Sequence, residues 1–257
     1  MTFGRIDRVR AMAFLLATIC AAFAAGCADI RETITLRSDG SGIYKLKYSI
    51  SKTSADQLAM LMGMAAELED VSGQTATESS YRAIPMLFDQ KNIEAVMKKS
   101  EKHGARLTSV KVRDWNESIM AELRIDFDSL SGLMHTPFFS HRRFSVRKTP
   151  YGAYVLQHDP SPASAPSPSV HRARTIDGAE MNGALSDFRY ISTLNLPAEV
   201  LKSNADLAGL RTATWEFNCA QNQNAATRLQ GAELRLSFLG AGLTIPEMQY
   251  PADSPKP

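Results

Sequence analysis

Short stretches in which apolar and polar side chains strictly alternate recur along most of this chain. Thr33 and Thr35 alternate with Ile34 and Leu36. Beyond Ser38-Asp39-Gly40-Ser41-Gly42, Tyr44, Leu46, Tyr48 and Ile50 alternate with Lys45, Lys47 and Ser49. A two-residue period puts successive side chains on opposite faces of a strand, and an Asp-Gly turn between two such runs predicts a hairpin with one wet face. Ile119, Ala121, Leu123, Ile125 and Phe127 alternate with Glu122, Arg124 and Asp126. Val110 and Val112 precede them, with Asp114-Trp115-Asn116 as the turn. Phe144/Val146 and Tyr154/Leu156 flank Pro150-Tyr151-Gly152. Further alternating sets centre on Phe188 to Leu196, Ala213 to Phe217 and Leu234 to Phe238. Strands with a polar face this often belong to antiparallel sheet, because buried parallel strands read as continuous apolar runs.

Two segments carry a helical period instead. Ser54-Ala55-Asp56-Gln57 is a capping-box start, after which Leu58, Leu61, Met62, Ala65 and Leu68 share one face. The second opens at Asp89, turns Ile93, Val96 and Met97 inward, and ends with Lys98, Lys99, Lys102 and His103 before Gly104. Cations in a last turn oppose the helix dipole, and glycine suits the left-handed position that follows it. The expected fold is α+β: about eight or nine strands in hairpins, with two helices packed on one face of the antiparallel sheet.

The N-terminus constrains location. Arg5, Arg8 and Arg10 against Asp7 make a basic start, and Ala11 to Phe23 carry no charge. A basic region, a short apolar run and small residues at its end define a secretory signal. The run is shorter than the ~20 apolar residues that cross a bilayer. It closes on Ala24-Ala25-Gly26-Cys27, which resembles a bacterial lipobox: cleavage before Cys27, with lipid on the cysteine. Ordinary cleavage after Ala22-Phe23-Ala24, leaving a free Cys27, and an uncleaved membrane anchor are the competing readings. The chain divides into a signal peptide at 1–26, an α+β domain at 27–240 with a Pro/Ser-rich loop at 158–170, and a flexible tail at 241–257. Ala28 rather than Asp after the cysteine favours an outer membrane if the cell is Gram-negative.

Little in the mature chain points to chemistry. The precursor's net charge is +2, and removing the basic leader leaves the mature chain near zero, which argues against nucleic acid as a partner. Of three cysteines, Cys20 leaves with the signal. With Cys27 acylated, Cys219 has no partner for an intramolecular disulfide, and at the end of a strand it reads as a small apolar residue rather than a nucleophile. The five histidines form no metal-ligand spacing, although His135 and His141 flank Pro137-Phe138-Phe139. Asp126 and Asp128 share a polar strand face and read as solvated. Arg142-Arg143 with Arg147-Lys148 reads as a charged edge strand, the alternative being contact with anionic headgroups. No catalytic residue, metal ligand or cofactor is expected. Met60, Met62 and Met64 do not fit one helical stripe with Leu58 and Leu61, and Met86 follows. Methionine adapts to irregular apolar surfaces. These six residues are the expected lining of an apolar groove for a lipid or an envelope partner protein, with ordinary core packing as the competing reading.

Three pieces of the sequence together resemble the LppM-type domain of bacterial membrane-anchored lipoproteins. They are Cys27 followed closely by a strand, a turn with Asp39 and Gly42 and a second strand; the strand running into Asp128-Ser129-Leu130; and Leu194-Asn195-Leu196-Pro197-Ala198-Glu199-Val200, Ser203-Asn204-Ala205 and Thr214-Trp215-Glu216-Phe217. The resemblance spans residues 27–220. It implies an α+β domain that is not an enzyme, with lipid or envelope ligands, and with Pro197, Asn204 and Trp215 as turn, turn and core anchor.

Overall fold

The computed structural model describes residues 28–53, 88–139, 143–159, 188–222, 224–230 and 233–248. The expected helix beginning at Ser54 lies outside these residues.

Two sheets and three short α-helices make up the described chain, an α+β fold. In chain order the strands are β1 (Ala28–Leu36), β2 (Gly42–Ser51), β3 (Ala105–Trp115), β4 (Ser118–Phe127), β5 (Arg143–Lys148), β6 (Tyr154–Asp159), β7 (Arg189–Asn195), β8 (Val200–Ser203), β9 (Leu207–Ala208), β10 (Thr212–Asn218) and β11 (Leu234–Phe238). The helices are α1 (Gln90–Lys98), α2 (Leu130–Met134) and α3 (Ala225–Gln230). One sheet has seven strands in the order β3-β4-β2-β1-β7-β10-β9, and the other four in the order β5-β6-β11-β8.

The β1–β2 hairpin forms where the alternation places it, paired from Ala28↔Ile50 to Leu36↔Gly42. Its turn is held by Asp39, whose Oδ1 accepts from the Ser41 amide at 3.0 Å and the Ser41 hydroxyl at 2.7 Å. These two bonds hold the Asp39 carboxyl below its ordinary range. Gly40 there has φ +84°, a conformation open to glycine without strain. β4 is the strand expected from Ile119 to Phe127, but its partner β3 runs on to Trp115, so the reversal falls on Asn116-Glu117, two residues later than the expected turn began. Asn116 has φ +51°, which a short polar side chain tolerates.

One pairing departs from the antiparallel expectation. β1 and β7 run parallel, from Asp29↔Arg189 to Thr35↔Asn195. Alternation tells which face a strand buries; it does not tell which neighbour it takes. β8 and β9 also escape the alternation, being four and two residues long.

α1 is capped as expected: the Asp89 side chain accepts from the amides of Lys91 and Asn92. Ile93 and Met97 are buried, whereas Val96 faces out. The helix stops at Lys98. Ser100, buried, donates its hydroxyl to the His135 carbonyl at 3.3 Å, and a 3₁₀ turn at Glu101–His103 leads to Gly104 at φ +79°. One hydrophobic core joins both sheets, with an aromatic path crossing between them: Tyr44 of β2 meets Phe139 edge-on at 4.9 Å, and Phe139 meets Phe144 of β5 at 5.4 Å. Part of the expected C-terminal tail is docked: Ile245 is buried, Thr244 donates to the Ser38 carbonyl, and Met248 exchanges backbone hydrogen bonds with Val146. Residues 249–257 lie outside the described residues.

Candidate functional site

Cys27 and the six expected groove residues, Leu58, Met60, Leu61, Met62, Met64 and Met86, lie outside the described residues. The structure does describe the strand that starts one residue after Cys27. Ala28 is the first residue of β1 and is only 2% exposed. β1 is not an edge strand: it lies between β2 and β7 near the middle of the seven-stranded sheet.

Four residues along β1 is the most unusual group in the core. Glu32 shares the inward parity of Ile34 and Leu36 and is 1% exposed. It pairs in register with Leu46 on one side and Ser192 on the other, and Ser192 pairs with Trp215. The carboxylate thus sits mid-sheet on a face of large apolar side chains. A buried carboxylate costs several kcal/mol unless hydrogen bonds replace its water. Three hydroxyls do so. Tyr44 donates to Oε2 at 3.1 Å, Ser192 donates to Oε1 at 2.7 Å, and Tyr190 makes a short bond to Oε1. The donors come from the strands on both sides, so the cluster ties β2, β1 and β7 together across the antiparallel and the parallel joint. Chemically it orients hydroxyls. A carboxylate is too weak a base to turn Ser192 into a nucleophile unaided. The sequence reading missed Glu32 because it took up the alternation at Thr33. The signal was its parity: in a strand burying Ile34 and Leu36, residue 32 must face the core too.

The other candidate groups are at the surface. His135, expected as a loop histidine near His141, is exposed in the turn after α2 and stacks on His103 with ring centroids 4.1 Å apart; His141 lies outside the described residues. Desolvation, the neighbouring His135 charge and Lys102 together lower the His103 pKa. Asp126 pairs with half-buried Arg124 and Asp128 with exposed Arg106, each at 3.1 Å, as solvent-facing ion pairs of small energetic weight. Burial pushes the Cys219 thiol up, which favours its protonated form. Among the described residues no three His, Cys, Asp or Glu side chains stand close enough to hold a metal ion. No described helix is long and apolar enough to cross a membrane.

Trp215 and Asn204, singled out as core anchor and turn, meet directly. The Trp215 indole donates to Asn204 Oδ1 at 3.0 Å. The same oxygen accepts from the Arg235 amide at 2.9 Å, and Asn204 Nδ2 donates to the Glu233 carbonyl at 2.7 Å. Trp215 lies on β10 of the large sheet and Arg235 on β11 of the small one, so one asparagine fastens the two sheets.

No family model matches the chain, and no curated protein matches it. Among solved structures, it is similar to the folded domain of the Mycobacterium tuberculosis LppM protein, determined by NMR, at 11% identity and a TM-score of 0.41, covering 88% of this chain and 93% of that one. This likeness is distant, and the fold described above stands on its own strand pairing.

Proposed function

We propose that this chain is a bacterial cell-envelope lipoprotein, held to a membrane through lipid on Cys27, that binds an apolar or lipid ligand, or an envelope partner protein, without catalysis. One observation carries the reading: a basic then apolar leader ends on Ala24-Ala25-Gly26-Cys27, and the folded domain starts with the next residue, Ala28, already buried in β1. A lipobox cysteine placed flush against a domain leaves no long tether, and multiple acyl chains at ~0.8 kcal/mol per buried CH₂ would hold it firmly. For the ligand-binding part, the candidates are Leu58, Met60, Leu61, Met62, Met64 and Met86, whose side chains suit an irregular apolar ligand. The alternatives are a structural or assembly lipoprotein of the envelope and an envelope hydrolase; among the described residues, the hydrogen bonding of Glu32 and Ser192 suits a structural tie better than catalysis.

Fractionation of cells carrying the wild type and Cys27→Ser tests the anchor: the wild type is expected in the membrane fraction and the variant in the soluble envelope fraction. Unchanged partition would count against it. Organic extraction of the purified protein followed by mass spectrometry tests the ligand. A co-purifying lipid lost from a Met60→Asp/Met62→Asp double variant is the expected result, and no lipid in either protein would remove the ligand reading while leaving the anchor intact.

A further inference from the structure

We infer that the β3–β4 hairpin tip is a second membrane contact: Trp115 inserts its indole into the headgroup region of the same phospholipid leaflet that holds the lipid on Cys27. This rests on the anchored reading above and adds an orientation to it. The strand register fixes the geometry. Ala28 pairs with Ile50, Ile50 with Ile119, and Ile119 with Asp114, so these four residues form one row across β1, β2, β4 and β3. The next row outward is Ser51, Ser118 and Trp115. Cys27 is one peptide bond from Ala28, about 3.8 Å between Cα atoms. Trp115 therefore stands at the same end of the sheet as the lipid site, three strand spacings or about 14 Å away.

The tip is also tied to the end of β2 at that level. The Lys52 amide, just past β2, donates to the Glu117 carbonyl at 2.7 Å, and its ammonium reaches Asp114 at 3.6 Å. A lipid pulling on the start of β1 thus positions the tip through β2. Trp115 is 64% exposed, large and apolar, with an N–H that stays wet. An indole of this kind favours the boundary between headgroups and acyl chains. Arg113, two residues back on the same strand face, is the nearest cation for anionic headgroups, with Lys52 paired to Asp114 and Glu117 the other nearby acid. The other tryptophan, Trp215, is 2% exposed in the core.

That contrast supplies the test. The mature protein is extracted from membranes and its acylation read by intact mass. It is then reconstituted into phosphatidylethanolamine/phosphatidylglycerol vesicles with or without brominated acyl chains. Expected is a blue-shifted emission component, quenched at least twofold by the brominated lipid, that persists in Trp215→Phe and disappears in Trp115→Ala. An acylated protein whose Trp115 emission stays unshifted and unquenched overturns this inference and leaves the anchor standing, with a protein partner as the remaining occupant of the tip. A mass without acyl chains overturns both.

Discussion

Glu32 is a charged residue placed where this fold would otherwise put an aliphatic one. Its neighbours in register are Leu46 and Ser192, and its cost is offset by hydroxyls from Tyr44, Tyr190 and Ser192. Removing it leaves those hydroxyls facing an apolar gap. Glu32→Ala is expected to lower unfolding free energy in urea by about 2–4 kcal/mol, whereas Tyr44→Phe, which removes one donor, should cost about 1 kcal/mol. An alanine variant within about 0.5 kcal/mol of wild type would mean the cluster is no tie. His103 gives a pH prediction of the same scale. Its pKa is lowered from 6.5, first by desolvation and then by His135 and Lys102. The fold therefore prefers the neutral ring. Whatever stability this brings is complete above pH 6.5 and fades as the pH falls through the lowered folded value. An NMR titration should show His103 below 6.5 in the wild type and closer to it in His135→Gln, which removes the stacked ring; no movement would deny the coupling.

Elements were legible where burial has a period. β2 buries alternate residues over all ten positions, β1 from Glu32 onward and β4 from Ala121 onward; the sequence pattern matches β2 and β4 almost residue for residue and β1 from Thr33. α1 was legible from Asp89 and the stripe of Ile93 and Met97, but its early end was not. Ser100 turns inward to a carbonyl 35 residues away, and nothing local announces that. The same reason hides β8 and the parallel β1–β7 joint: their partners are distant in sequence, and their hydrogen bonds are made by backbone that carries no pattern. β9 pairs with nearby β10 but is too short, at two residues, to show a period. Asn204 shows both sides. Its place after a strand end is readable as a turn, but its bonds to Trp215, Arg235 and Glu233 depend on two sheets having already met. Asn204→Ala should cost about 1–3 kcal/mol, because the buried Trp215 indole loses its acceptor and the sheets lose their fastening. Asn204→Asp, which keeps Oδ1, should recover part of it. Chemical denaturation followed by Trp215 fluorescence in a Trp115→Phe background reads both, and equal stability of the two variants would place the effect elsewhere.

At the scale of the molecule, the proposed anchoring turns on the polarity of the sheet. One end carries Ala28, Ser51, the Asn116-Glu117 reversal and Trp115. The other carries the Asp39-Gly40 turn of the first hairpin. A lipid attached at Cys27 would therefore set the first end on the membrane and turn the other away, with the chain beyond Thr53, where the methionines begin, leaving from the membrane side. Everything in this arrangement depends on the chemistry of one cysteine. The most direct measurement is mass spectrometry of the N-terminal tryptic peptide, Cys27 to Arg31, from protein extracted out of cell membranes. The expected peptide starts at Cys27 and carries acyl chains. The same segment recovered with a free thiol, or joined to residues upstream of Cys27, would contradict the anchored domain described here.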